Sequence, residues 1–136
     1  MFNAFVQVPQ AVTRIRARSG YTGVMKVFGI KSCDSCRKAR RWLDERGSDY
    51  EWYDLRADGV EAGTVQSWLR AVGPEVLVNR RSTTWRGLSE TQRAEAMDTE
   101  TAADLLVAHP TLIKRPVVVV DDRVLVGFGA EVREAL

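Results

Sequence analysis

Residues 25–46 read MKVFGIKSCDSCRKARRWLDER, and the pattern changes once within them. Met25 to Ile30 is a short run of apolar and β-favouring residues ended by Lys31-Ser32, which reads as a buried strand. From Asp34 the period becomes helical. Ala39, Trp42 and Leu43 share a face over 34–46, and Gly47 supplies a stop. DYEWYDL at 49–55 alternates in part and reads as a second strand. The connection is long enough for the two strands to pair in parallel. Cys33 then stands at the first strand-to-helix turn.

Beyond this unit the middle of the chain is helical. Val65, Trp68, Leu69 and Val72 lie on one face of a helix over 64–72 that ends at Gly73-Pro74. Residues 75–80 are ambiguous, and RSTTWRGL at 81–88 reads as a loop. Two more helices are expected over 89–97, opened by a capping Ser89, and 100–108, closed by His109-Pro110. PVVVV at 116–120 is a continuous β-branched run. Asp121-Asp122 turns it into RVLVGF at 123–128, a hairpin, and 130–136 closes as a short helix. The sum is an α/β chain: βαβ, a helical insertion, then ββα.

The chain has 136 residues, which suits one domain. That domain is expected over 25–136. Residues 1–24 carry Arg14, Arg16 and Arg18 and no acidic residue. They lack the charge-then-apolar order of a secretory signal, although arginines without acids have some look of a transit segment. They are read as a disordered extension or an over-extended start, since Met25 opens a clean strand. Without those three arginines, seventeen basic residues face eighteen acidic ones, so the body carries about −1 rather than the +2 of the whole chain. A nucleic-acid surface on the domain is therefore not expected. No apolar run approaches the ~20 residues of a membrane span.

The two cysteines form one pair, CDSC at 33–36. A secreted scaffold usually carries more cysteines at wider spacing, so a close pair reads as redox or catalytic in a cytoplasmic protein. The free amides and dipole of a helix start lower a thiol's pKa, and thiolate is the nucleophilic form. Lys31, Arg37 and Lys38 add positive potential, opposed slightly by Asp34. Three-residue spacing puts Cys36 on the same face, within reach of a disulfide. Cys33 is thus the candidate nucleophile and Cys36 the candidate resolving thiol. A zinc site is one alternative, but zinc takes four ligands and the only other soft one is His109. A pair of inert packed cysteines is the other.

IKRPVVVV at 113–120 places Arg115 and Pro116 just ahead of a strand, where proline is tolerated. Arg80 and Arg81 form a second basic group. Spacing alone makes Arg115 a surface charge and the second group a solvated loop. Around a thiolate, however, two arginine sites would hold an oxyanion or a carboxylate.

The strings VFGIKSCDSCRKARRWL, YDLRADG, RSTTWRGL, LVAHPTLIKRPVVVV and VLVGF occur in order over nearly all of 25–136. They resemble the arsenate reductase-like family, which holds ArsC reductases, Spx regulators and YffB-type proteins. The resemblance implies a thioredoxin-like fold with a helical insertion between the second and third strands. It also implies that Cys33 is the family cysteine and Arg115-Pro116 the family's arginine and cis-proline. ArsC reductases hold arsenate with a cysteine and three arginines. Arg115 matches one, and Arg81, with Arg80 adjacent, another. The third would fall in or just after the last strand, where this chain has Gly127-Phe128-Gly129; Arg123, in the hairpin turn, does not match.

TTWR and DLRADG look most like YffB-type proteins, which implies glutathione-dependent thiol reduction. CDSCRKAR is close to Spx, whose CxxC is a redox switch on a protein that binds RNA polymerase, at the C-terminal domain of its α chain. The expectation is a thiol/disulfide reductase with Cys33, Cys36 and Arg115 as its chemical groups, and with Arg81, Arg80, Pro116 and Lys31 at the substrate. Glutathione, or another small thiol or anionic molecule, is the expected partner of a cytoplasmic monomer. No metal is expected, and no nucleotide, since the phosphate-binding glycine motifs are missing. An Spx-like regulator and a true arsenate reductase are the alternatives.

Overall fold

The computed structural model describes residues 24–136, so the reading of residues 1–24 lies outside the described residues except for Val24. Strand β1 (Lys26–Gly29) leads through a tight turn into α1 (Asp34–Glu45), and β2 (Glu51–Asp54) follows. β2 pairs with β1 in parallel, with Val27 opposite Trp52 and Gly29 opposite Asp54. The hairpin of β3 (Val117–Val120) and β4 (Arg123–Val126) completes a four-stranded sheet in the order β2-β1-β3-β4. β3 runs antiparallel to both β1 and β4. Asp121 turns the hairpin at φ 54, a left-handed conformation that a short polar side chain tolerates. The closing helix α7 (Ala130–Ala135) follows.

The insertion lies between β2 and β3. It comprises α2 (Ala62–Val72), α3 (Pro74–Leu77), α4 (Thr83–Arg86), α5 (Glu90–Ala96), α6 (Ala102–Ala108) and a 3-10 turn at Pro110–Leu112. One stretch differs from the sequence reading, and another fills in what that reading left open. Residues 83–86, read as loop, form a helical turn because Ser82 accepts the Trp85 N–H at 3.1 Å and caps it. A single turn is too short to show a period. The ambiguous 75–80 begins inside α3, which Pro74 opens, and Val78 then forms a one-residue bridge with Ile113. Ser89 caps α5 in a reciprocal capping box with Gln92.

The period-2 alternation of the strands sends side chains to two cores. On the α1 face, Val27, Trp52, Val118 and Val120 pack with Met25, Leu43, Tyr50 and Cys36. On the other face, Val117 packs with Trp68, Leu69, Leu106 and Ile113 of the insertion. Cys33 touches both clusters, because it lies at the sheet end where they meet. No helix among the described residues is long and apolar enough to cross a membrane.

Candidate active site

The site is built on the turn between β1 and α1. The Cys33 N–H donates to the Ile30 carbonyl at 2.9 Å, closing the turn, and the Cys33 carbonyl accepts the Arg37 N–H at 2.9 Å. Cys33 is therefore the N-cap of α1, with extended backbone at φ −79 and ψ 129. As a thiol it makes no capping hydrogen bond. As a thiolate it gains the unpaired amides of the first turn. Partial burial pushes its pKa up, but the Cys36 N–H, the Arg115 guanidinium and the Cys36 thiol together outweigh burial. The net result lies below the ordinary thiol value.

Cys36 is the opposite case. It is 1 % exposed, and burial pushes its thiol up to about 12, with the adjacent Cys33 charge adding to the rise. The two cysteines are free and unequal: one ionises early, and the other keeps its proton and donates it toward the first. Gly29 makes room for this. A Cβ there would overlap Cys36 Sγ and come within 2.9 Å of Trp52 Cη2.

The charge near Cys33 comes from more than its own stretch of sequence. Arg37 pairs with Asp34, and the side chains of Lys31 and Lys38 are exposed. Lys31 takes part through its backbone, which donates to Asp54 Oδ2 at 2.9 Å. The positive group at the sulfur is Arg115, from the far end of the insertion. One of its terminal nitrogens donates to the Ile113 and Pro110 carbonyls at 3.2 and 3.4 Å, while its buried Nε has no hydrogen-bond partner. The Arg115–Pro116 peptide bond is cis, and the buried Pro116 accepts the Gly127 N–H at 2.8 Å.

Arg80 and Arg81 are exposed in the loop before α4, and among the described contacts neither guanidinium reaches Cys33 or Arg115. The loop is nevertheless tied to the segment that leads into Arg115. Asn79 donates to the Leu112 carbonyl at 2.7 Å, and the hydroxyls of Thr84 and Thr111 share a 2.6 Å hydrogen bond. Phe128 packs on Trp42 of α1, and Arg133 of α7 lies over the Phe128 ring. Two contributors escaped the sequence reading, Gly29 and Asp54. For Asp54 a signal existed: an aspartate followed by Leu-Arg-Ala-Asp-Gly is a turn in which the carboxylate takes backbone amides two and three residues on. Among the described residues, no group of three or more His, Cys, Asp or Glu could hold a metal ion.

A mixed four-stranded sheet with helices on both faces, a cysteine pair opening the first helix and a proline opening the third strand define a thioredoxin-like protein. The chain belongs to the ArsC family, whose profile matches residues 28–136. It is 39% identical over 112 residues to an uncharacterized protein of Haemophilus influenzae, covering 82% of this chain and 97% of that one. The solved structure of a YFFB protein is 38% identical with a TM-score of 0.76, covering 82% of this chain and 97% of that one. The global transcriptional regulator Spx 2 of Bacillus anthracis is 29% identical over 107 residues, covering 77% of this chain and 80% of that one.

Proposed function

We propose that the protein is a glutathione-dependent thiol/disulfide reductase of the ArsC family, working as a cytoplasmic monomer from the domain over 25–136. The observation that carries this reading is the inequality of the two thiols. Cys33 is partly exposed and its pKa is lowered, whereas Cys36 beneath it is buried with its pKa raised to about 12. An attacking thiol needs the first set of properties and a resolving thiol tolerates the second.

In the first step the Cys33 thiolate attacks one sulfur of a disulfide. It forms a mixed disulfide and expels the other sulfur as a thiolate. In the second, Cys36 sulfur attacks Cys33 sulfur, its proton leaves with the departing thiol, and an internal Cys33–Cys36 disulfide remains. Two glutathione molecules then restore the dithiol and leave as oxidised glutathione. Alternatively, one glutathione resolves the mixed disulfide directly. Arg115 lowers the thiol pKa, and Arg81 and Arg80 draw in an anionic group such as a glutathione carboxylate, with Pro116 and Lys31 at the edge of the site.

Incubation with oxidised glutathione followed by mass spectrometry tests the proposal. A glutathione adduct on Cys33 or an internal disulfide is expected. Neither product, with Cys33 alkylating at an ordinary thiol rate, would sink it.

The CDSC pair and the likeness to Spx 2 favour a second reading, a regulator whose disulfide gates a contact with RNA polymerase. Redox-dependent retention by the C-terminal domain of the polymerase α chain in a pull-down would establish that reading and displace the first.

A further inference from the structure

Asp54 is 6 % exposed at the end of β2, and its carboxylate accepts three backbone amides. Oδ1 accepts the N–H groups of Arg56 at 2.9 Å and Ala57 at 2.8 Å, and Oδ2 accepts that of Lys31 at 2.9 Å. The first two bonds shape its own loop. The third crosses to the turn that delivers Cys33. Lys31 is the second residue of that four-residue turn, which the Cys33 N–H closes onto Ile30. The neighbouring strand ends are clamped as well, since the Leu55 N–H donates to the Gly29 carbonyl at 2.7 Å.

We propose that Asp54 is the positioning residue for Cys33: by holding the Lys31 N–H it fixes the turn so that the Cys33 sulfur meets the Cys36 N–H and the Arg115 guanidinium together. The inference rests on the reading of Cys33 as the reactive thiol. Both stabilising groups act over hydrogen-bond distances, so a small displacement of the turn forfeits their effect. Burying a carboxylate is costly unless it is fully hydrogen-bonded. Here three amides meet that cost, one of them on the element that carries the nucleophile.

The mechanism has a sign that separates it from simple electrostatics. A negative charge near a thiol opposes ionisation, so loss of the Asp54 charge through space would lower the Cys33 pKa. Loss of its positioning would raise it.

Asp54→Asn makes the distinction with little change of shape. The amide oxygen can keep the Arg56 and Ala57 N–H groups, which places the amide NH2 against the Lys31 N–H, donor against donor. Lys31→Pro removes the same bond from the other side, at a turn position that proline suits. The experiment is site-resolved iodoacetamide alkylation of Cys33 from pH 5 to 10 in the full chain, with thermal melts alongside. Both variants should raise the apparent Cys33 pKa by about half to one unit, with a few-fold slower alkylation near neutral pH and a retained cooperative melt. A depressed wild-type pKa that stays unchanged or falls in either folded variant overturns the positioning role and leaves the functional reading standing. An ordinary wild-type pKa overturns both.

Discussion

Phe128 stands edge-on to Trp42, with 5.5 Å between ring centroids. Trp42 lies nine residues beyond Cys33 along α1, about 13 Å at the helical rise. Phe128 occupies the stretch after the last strand where the family resemblance places an arginine, and it is spent on packing α1. Arg46 lies over the Trp42 ring at 4.2 Å and Arg133 over the Phe128 ring at 5.5 Å, so the cations here are held by aromatic faces. With no arginine in that stretch, a multiply charged oxyanion at Cys33 loses part of its clamp. Glutathione- and glutaredoxin-coupled arsenate turnover should therefore not rise above that of Cys33→Ser. Turnover that depends on Cys33 would refute this.

The thiol itself should titrate low. Because the Cys36 amide and Arg115 stabilise the thiolate, alkylation of wild-type Cys33 should reach half its maximal rate below the ordinary thiol pKa. Arg115→Ala removes a stabilising charge, so its profile should move to higher pH. Iodoacetamide kinetics across pH check both, and coincident profiles would uncouple the two residues.

Cys36 makes stability pH-dependent in the opposite sense. In the unfolded chain it ionises at an ordinary thiol pKa, whereas in the folded chain it keeps its proton up to about 12. Between those values the unfolded chain binds fewer protons, so stability falls as pH rises. Urea midpoints compared at pH 8 and pH 10 should drop further for the wild type than for Cys36→Ala.

Close packing at Gly29 should be visible in a mutant cycle. Gly29→Ala drives a methyl into Cys36 Sγ and toward Trp52, and overpacking of this kind costs about 1–3 kcal/mol. Cys36→Ala in the same chain removes the obstructing sulfur and should recover part of the loss. Denaturant melts of the four proteins measure the coupling; additive losses would show that Cys36 is not the obstruction.

The basic loop should affect encounter rather than ionisation. Arg80→Ala and Arg81→Ala should leave alkylation by neutral iodoacetamide unchanged and slow the reaction with anionic oxidised glutathione about two- to fivefold, with the difference shrinking at high salt. Arg115→Ala should slow both reactions. Stopped-flow rates at two ionic strengths separate these roles.

Much of this molecule is written in contiguous residues. The βαβ unit, the β3–β4 hairpin and the helices α2, α5 and α6 follow from periodicity, caps and turn residues, all of which act over a few positions. Cys33 was legible for the same reason, because a helix start lies in the local pattern around it. Residues 81–88 were not, since a helix of one turn has no period to detect.

What surrounds Cys33 could not be read that way. Lys31, Arg37 and Lys38 are its neighbours in the chain, yet Arg37 turns to Asp34 and the other two extend into solvent. A cation that lowers the thiol pKa is Arg115, brought back after the whole insertion. The carboxylate that holds its turn is Asp54, brought alongside by the parallel pairing of β1 and β2. Hydrogen bonds need groups within about 3.5 Å in space and charge effects weaken with spatial distance, whereas sequence proximity says little about where a long side chain points. The position of Cys33 at a helix start is a property of the local chain, and the lowering of its thiol pKa belongs in large part to contacts that folding alone creates.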